Sequence, residues 1–477
     1  MLSAHPAALR DFALDDAWIH LVYARSLWEQ GSFAYNPGQV ETGFTSPLWV
    51  MVLAPVVGLS KATGIGLVLL VKVVGALLSA VTAWLLARHA ARLAGERAGW
   101  LTLVAAGASP LVAFGSVSGM EVPLAAAMVS LALTLGLTGG GWPAGVALAL
   151  AALARPELAV AGMLVFVWGL STCAAADRLR LALALALPSA LAGGAWLAGN
   201  LAATGHALPS TFYAKSDASM AAGLQHLVRQ VVVGWGAERL VVAVPAAVAG
   251  AWRLWRLGRA DAALWLGVAI ATPLAITATA ELAPHVEFYM SRYFAPTLVL
   301  WAPVVGLGLD AAAARLRRAW AGAAAGAALA LAATPALLGA ADAYGRHCRD
   351  IELLHTGPFA ALASSVDATT VVAVEGAGAS RWLLPGPVLD LVGLNDHVRV
   401  HLREGRAQMC HVALAGPSWL VVPDDWLPRF TAAFDVTPVS QVTQPVWSVV
   451  GGTGPRTVVT ARIAPKPGLL AFCQEKP

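Results

Sequence analysis

A polytopic α-helical membrane body with a small soluble α/β domain at its C-terminal end is the fold this sequence predicts, and three observations predict it. Of the 477 residues, 58% are hydrophobic and only 12% charged, whereas soluble domains carry about a quarter charged residues; mean hydropathy is +0.69. The arginines cluster in short loops between apolar runs, as they do on the cytoplasmic side of membrane proteins. From Ala368 the pattern changes to short strand-like segments punctuated by Gly and Pro. These features divide the chain into residues 1–63, a polar loop region with juxtamembrane helices, residues 64–340, the membrane body, and residues 341–477, the α/β domain. An isoelectric point near 9.0 does not imply nucleic-acid binding, because the basic residues alternate with apolar spans instead of forming one patch.

About ten spans are expected on length and apolarity: Gly64 to Arg88, Gly99 to Gly115, Glu121 to Leu137, Trp142 to Ala154, Glu157 to Leu170, Leu181 to Leu201, Gly236 to Ala251, Ala262 to Ala280, Tyr293 to Leu309 and Trp320 to Leu338. The run Pro47 to Leu59 is short and contains Pro55, which suits an interfacial or re-entrant helix better than a crossing. If it does not cross, the loops holding Arg88 to Arg97, Arg178 and Arg180, Arg253 to Arg259 and Arg315 to Arg318 all fall on the cytoplasmic side. The opposite face then receives the loop with Asp15 and Asp16, the Ser118–Glu121 turn, Arg155–Glu157, the stretches 204–230 and 281–292, and the whole tail from Asp342. Nearly all chemically interesting polar residues, with the tail, thus share one extracytoplasmic compartment. An Asp15 loop on that face needs a preceding span, and residues 1–10 are too short to supply it, so either a first helix upstream of this chain or unaided translocation of the N-terminus is required, and the first is expected.

The tail reads as strands at Thr370 to Glu375, Val388 to Val392, Trp419 to Val422, Val446 to Val450 and Thr457 to Ile463. Its Gly-punctuated segments GAGASRW and LDLVGLNDH follow strands, where ligands often bind in α/β sheets, although ordinary turns account for them equally well. Cys348, Cys410 and Cys473 lie in the tail and allow one disulfide, whose pairing the sequence does not choose. No metal-ligand spacing of the CxxC or HExxH kind occurs. A divalent ion such as Mg or Mn is compatible with the acidic loop but not indicated.

Asp15 and Asp16 carry the clearest chemistry. Adjacent carboxylates suit a reaction in which a hydroxyl loses its proton while attacking an electrophile: one accepts the proton, the other orients it. A helix N-cap followed by a first-turn acid is the structural alternative for the same pair. Lys215, Arg292 and Arg155 are expected on the same face beside aromatics and would suit a lipid phosphate; interfacial snorkelling is the alternative for each. His20, Arg25, Glu41, Glu121, Glu157, Tyr213, His285 and Tyr293 are further candidates for substrate contact. Glu121 and Glu157 equally suit helix N-termini, and the tyrosines an interfacial belt. Lys72 sits inside a span.

The order DDAWIHLVYARSL, GSFAYNPGQVETGFTSPLW, SGMEVPL, LARPE, LPSTFYAK, SRYF and VLDLVGLND resembles the GT-C superfamily of membrane glycosyltransferases, nearest its arabinofuranosyltransferase-like branch. The resemblance covers nearly the whole chain. It implies an inverting transfer from a polyprenyl-phosphate sugar donor to an envelope glycan, lipid or protein acceptor. Asp15 takes the place of the first-loop catalytic acid, Asp16 that of its neighbour, and Lys215 and Arg292 match positions near the donor phosphate. A transporter of lipid-linked sugar would instead place ionisable residues at the midplane with a repeat between halves, and a scaffold binding a wall polymer would need no acid. No motif here specifies the sugar or the acceptor.

Overall fold

The computed structural model describes residues 5–214, 243–279, 292–402, 405–449 and 454–475. The chain forms two compact units, one of Met1–Leu70, Leu197–Ser216 and Ala343–Pro477, the other of Val71–Trp196 and Asp217–Asp342.

In the first unit, helix Asp16–Gln30 packs against helix Pro47–Thr63. Pro47 opens the second of these at its first turn, where the missing N–H costs nothing, and Gly64 closes it in the left-handed conformation at φ 72°. Tyr23, Phe44 and Trp49 fill the space around the loop between the two helices. That loop is laced to the C-terminal domain. Asn36 exchanges two hydrogen bonds of 2.9 Å with the backbone of Val388, and the Tyr35 hydroxyl donates to Ala377 O at 2.6 Å.

The C-terminal domain is built on a five-stranded mixed sheet of order β2-β1-β3-β5-β4. The strands are β1 Val372–Val374, β2 Val388–Asp390, β3 Trp419–Pro423, β4 Phe434–Gln444 and β5 Arg456–Pro465. β1 runs parallel to β2 and β3, pairing Ala373 with Leu389 and Leu420. All three are buried along their whole length, which is why β1 and β3 appear in the sequence as apolar runs, while β2 ends in the buried Asp390. The expected strand Val446 to Val450 is not one: its described residues 446–449 form no strand, with Trp447 buried. The partner of β5 is instead β4, an edge strand that is mostly exposed and carries Pro438 at a register shift, so it has no apolar signature. Cys410 and Cys473 form the disulfide, leaving Cys348 a buried thiol.

In the second unit the expected segment Gly99 to Gly115 is broken. Helices Glu96–Gly107 and Pro110–Val117 meet at 64°, because Pro110 begins a new helix whose cap, Ser109, accepts from Val112 N at 3.2 Å. Helices Val244–Leu257 and Trp301–Leu316 approach closely through Gly250 and Gly308. A Cβ on either would strike the backbone carbonyl of the facing helix, at Val304 and Ala246 respectively. This is the small-residue contact of membrane helices. Buried Asp310 on the second of these helices binds both Arg97 and Arg253.

Among the described residues four helical segments are long and apolar enough to cross a membrane: Leu67–Ala94, Ala175–Thr204, Ala295–Leu316 and Ala321–Ala363, or five with the bent pair counted as one. Pro47–Thr63, Val122–Leu137, Gly141–Ala154 and Pro156–Thr172 are shorter apolar helices. Leu183, Leu187 and Leu191 are exposed along one long segment, as a lipid-facing helix requires. Lys72 is buried within helix Leu67–Ala94.

Candidate active site

Asp15 stands immediately before helix Asp16–Gln30, yet its carboxylate makes no cap bond to that helix. It reaches the C-terminal domain instead: Gly378 N–H donates to Oδ2 at 2.7 Å and Ala379 N–H to Oδ1 at 2.8 Å. Both donors lie in the first turn of helix Ala377–Leu383, whose N–H groups have no partner within that helix. Gly378 permits the approach, since a Cβ there would meet the Asp15 carbonyl and lie 2.9 Å from Oδ1. At the other end of the same short helix, Arg25 donates to the carbonyls of Arg381 and Trp382 at 3.0 and 3.1 Å and lies 4.3 Å over the Trp382 ring. An acid at the N-terminus and a base at the C-terminus match the helix polarity. Arg25, expected to contact substrate, is thereby committed to holding this helix.

Burial raises the Asp15 carboxyl to about 6; desolvation outweighs the two N–H bonds, and neighbouring Asp16 adds to the rise. Asp16 is half-buried in the first helical turn. The sequence reading missed a third acid, Asp11, which is raised to about 6 by burial while accepting from Trp18 Nε1, Phe12 N and Thr356 Oγ1 at 2.6–2.8 Å. Those three bonds make it an anchor for the loop.

It missed His355 as well. This residue sits in a π-helical turn, Glu352–Thr356, a rare geometry that often marks functional positions. Its Nδ1 is 3.9 Å from Asp15 Oδ1 and has no hydrogen-bond partner among the described residues. Beside it, Arg456 pairs with Glu375 at 3.0 Å and lies 5.3 Å over Trp447, whose ring centre is 6.2 Å from that of His355. Nothing in ELLHTGPF signals this role at sequence level.

His20 is buried, with Nδ1 3.0 Å from Asp16 O in its own helix. Glu41 pairs with His397 Nδ1 at 2.6 Å, and burial, set against that histidine, raises its carboxyl. The Tyr213 ring lies 4.8 Å from His401 and 5.6 Å from His206. The motif LDLVGLND serves its own loop, with Asp390 accepting from Val392 N, Gly393 N and Asn395.

Five candidates meet in the second unit. Buried Arg155 binds Glu121, bonds Glu157 at 2.9 Å and lies 4.6 Å over the Tyr293 ring. Arg292 donates to the Tyr293 hydroxyl at 3.2 Å. Arg155 is charge-matched by two carboxylates, so its geometry is that of a structural hub. Lys215 and His285 lie outside the described residues. No group of three or more His, Cys, Asp or Glu able to hold a metal occurs among the described residues.

A helical membrane body, an acidic loop before the first described long helix and a small C-terminal sheet domain together define a GT-C-like fold. That fold is shared with ArnT from Cupriavidus metallidurans in the apo state, at TM-score 0.65 and 13% identity over 95% of this chain and 94% of that one. It is shared also with the Archaeoglobus fulgidus oligosaccharyltransferase AglB in complex with an inhibitory peptide and a dolichol-phosphate, at TM-score 0.53 and 13% identity over 87% of this chain and 66% of that one. The same organism's oligosaccharyltransferase in complex with Zn and sulfate matches at TM-score 0.51, again 13% identical, over 87% and 65%. No protein-family model and no curated protein matches the chain.

Proposed function

We propose that this chain is an inverting glycosyltransferase. It moves a sugar from a polyprenyl-phosphate donor to an envelope glycan, lipid or protein acceptor on the extracytoplasmic face of a bacterial inner membrane. The acceptor hydroxyl attacks the anomeric carbon, the bond from that carbon to the phosphate oxygen breaks with its electron pair leaving on the lipid phosphate, and the hydroxyl proton passes to Asp15. Inversion follows from attack opposite the leaving group.

One observation carries the reading: Asp15 is half-buried and fixed by two backbone N–H groups from a distant segment rather than capping its own helix. Each carboxylate oxygen keeps a second lone pair for a proton. A carboxyl at about 6 is a stronger base than an ordinary Asp and is still about nine-tenths ionised at pH 7. Lipid phosphate is a good leaving group, so alignment and deprotonation are the main demands on the protein. Asp16, adjoining the base, orients the acceptor. Arg292 and Lys215 stabilise the phosphate, and Arg155, held by Glu121 and Glu157, fixes Tyr293 beside Arg292. The fold shared with an oligosaccharyltransferase that binds dolichol-phosphate agrees with a lipid-linked donor.

The test is sugar transfer by membranes carrying the chain, offered a panel of polyprenyl-phosphate sugars. Transfer should fall at least about a hundredfold in Asp15→Asn with donor binding kept. Undiminished transfer in that variant would remove Asp15 from the chemistry, and no transfer from any donor would defeat the proposal.

A further inference from the structure

The C-terminal domain holds a cavity of about 530 Å³ that the transfer reaction does not use. Two of its walls are helices Gly405–Ala415 and Leu469–Glu475, joined by the Cys410–Cys473 disulfide. Three arginines line it, Arg399, Arg406 and Arg429, and among the described residues no carboxylate does. Their settings differ in a way that suits one ligand. Arg406 and Arg429 are exposed, and each is steadied by an aromatic ring of the same cavity, Phe472 at 5.5 Å and Trp426 at 4.5 Å. Arg399 lies deeper: its Nε donates to Leu391 O at 3.1 Å, while Nη1 is buried with no hydrogen-bond partner among the described residues. Its guanidinium thus serves the cavity wall, where it adds positive charge beside the two exposed arginines. The rest of the lining is largely apolar, with Met409 and Phe430 among it.

We infer that this cavity binds a sugar carrying a phosphate or carboxylate. The oxyanion accepts from the exposed Arg406 and Arg429 guanidiniums, whose planar forks fit both groups, and the apolar lining takes the carbon face of one ring. The volume lies within the range of small-molecule sites, about 300–1,000 Å³, and is too small to admit a helix, which is about 10–12 Å across with its side chains. The disulfide holds two of the walls in place before the ligand arrives, so the site is preorganised.

The site is independent of the transfer reaction and stands whether or not the chain transfers a sugar. Isothermal titration of the full chain in detergent micelles tests it, with glucose 6-phosphate, glucuronate, glucose and inorganic phosphate as probes. At least one of the two charged sugars should bind saturably, and at least tenfold more tightly than glucose or inorganic phosphate. Binding should weaken at least tenfold in Arg406→Gln/Arg429→Gln, whose melting temperature should match wild type because both side chains are exposed, and should survive Asp15→Asn. Equal binding of glucose would overturn the role of charge, and equal binding of inorganic phosphate would overturn the role of the ring. Undiminished binding in the rim variant, loss in Asp15→Asn, or no binding of either charged sugar would each remove the site. Anionic vesicles form a separate arm, and capture of vesicles abolished by the rim substitutions without any sugar binding would make the cavity a membrane contact instead.

Discussion

Asp15→Asn should change stability as well as the proposed transfer. The wild-type carboxyl moves from an ordinary 3.8 to about 6 in the folded protein, which corresponds to about 3 kcal/mol of unfavourable interaction with the ionised form. Between pH 4 and 6 the folded state holds a proton that the unfolded chain has largely released. Wild-type stability therefore falls as pH rises through that window, and the full cost is present above about pH 6. The asparagine side chain has nearly the same shape but no charge. It keeps one acceptor for Gly378 or Ala379 and turns its NH2 toward the other donor, at a cost of about 1–3 kcal/mol that does not change with pH. Relative to wild type, the variant should therefore gain about 2 kcal/mol between pH 4 and pH 7. Parallel thermal melts of both proteins in detergent from pH 4 to 8 measure this, as a midpoint difference that moves several degrees in the variant's favour. A constant difference across that range, or one moving against the variant as pH rises, would refute the argument that Asp15 is a carboxylate held at the expense of the fold.

Other predictions concern its surroundings. His355→Gln should reduce sugar transfer at least tenfold and shift the acidic limb of its pH profile, with the melting temperature preserved; an unshifted profile would leave His355 a packing residue. The disulfide closes a loop of sequence separation 63, so Cys410→Ser should cost up to about 4 kcal/mol on chain entropy, read as a lower melting temperature of the C-terminal domain. Glu121→Ala deprives buried Arg155 of one of two carboxylates and should cost about 3 kcal/mol, seen as reduced yield of folded protein in membranes; a yield equal to wild type would mean that Glu157 alone suffices.

Some of this architecture was legible in the sequence because its cause is local. Apolar runs disclosed the helices, and β1 and β3, buried throughout their length, disclosed themselves the same way. β4 was not legible, because an exposed edge strand with an internal proline satisfies its backbone through β5 and not through any pattern of its own. Asp15 attracted notice as one of two adjacent acids, but sequence could not distinguish a helix cap from a carboxylate fixed by Gly378 and Ala379. His355 was missed for the same reason: what sets it apart is its distance from Asp15 in space, and ELLHTGPF by itself describes an ordinary helix end. Arg25 and Arg155 were noticed for their charge, yet the carbonyls and carboxylates they serve become visible only once the chain is folded.

The partners of the Asp15 carboxylate lie 363 and 364 residues further along the chain. A ribosome adds residues one at a time from the N-terminus, at about 5–20 per second, so the acid leaves the ribosome early and waits tens of seconds for the segment that will hold it. Until Ala379 has emerged, the proposed base is an ordinary solvated aspartate. A transferase of the kind proposed would thus be made inert, and would acquire its chemistry only when about the last fifth of its sequence begins to fold. Premature termination anywhere before that point would leave a fragment whose proposed base lacks both of its N–H partners.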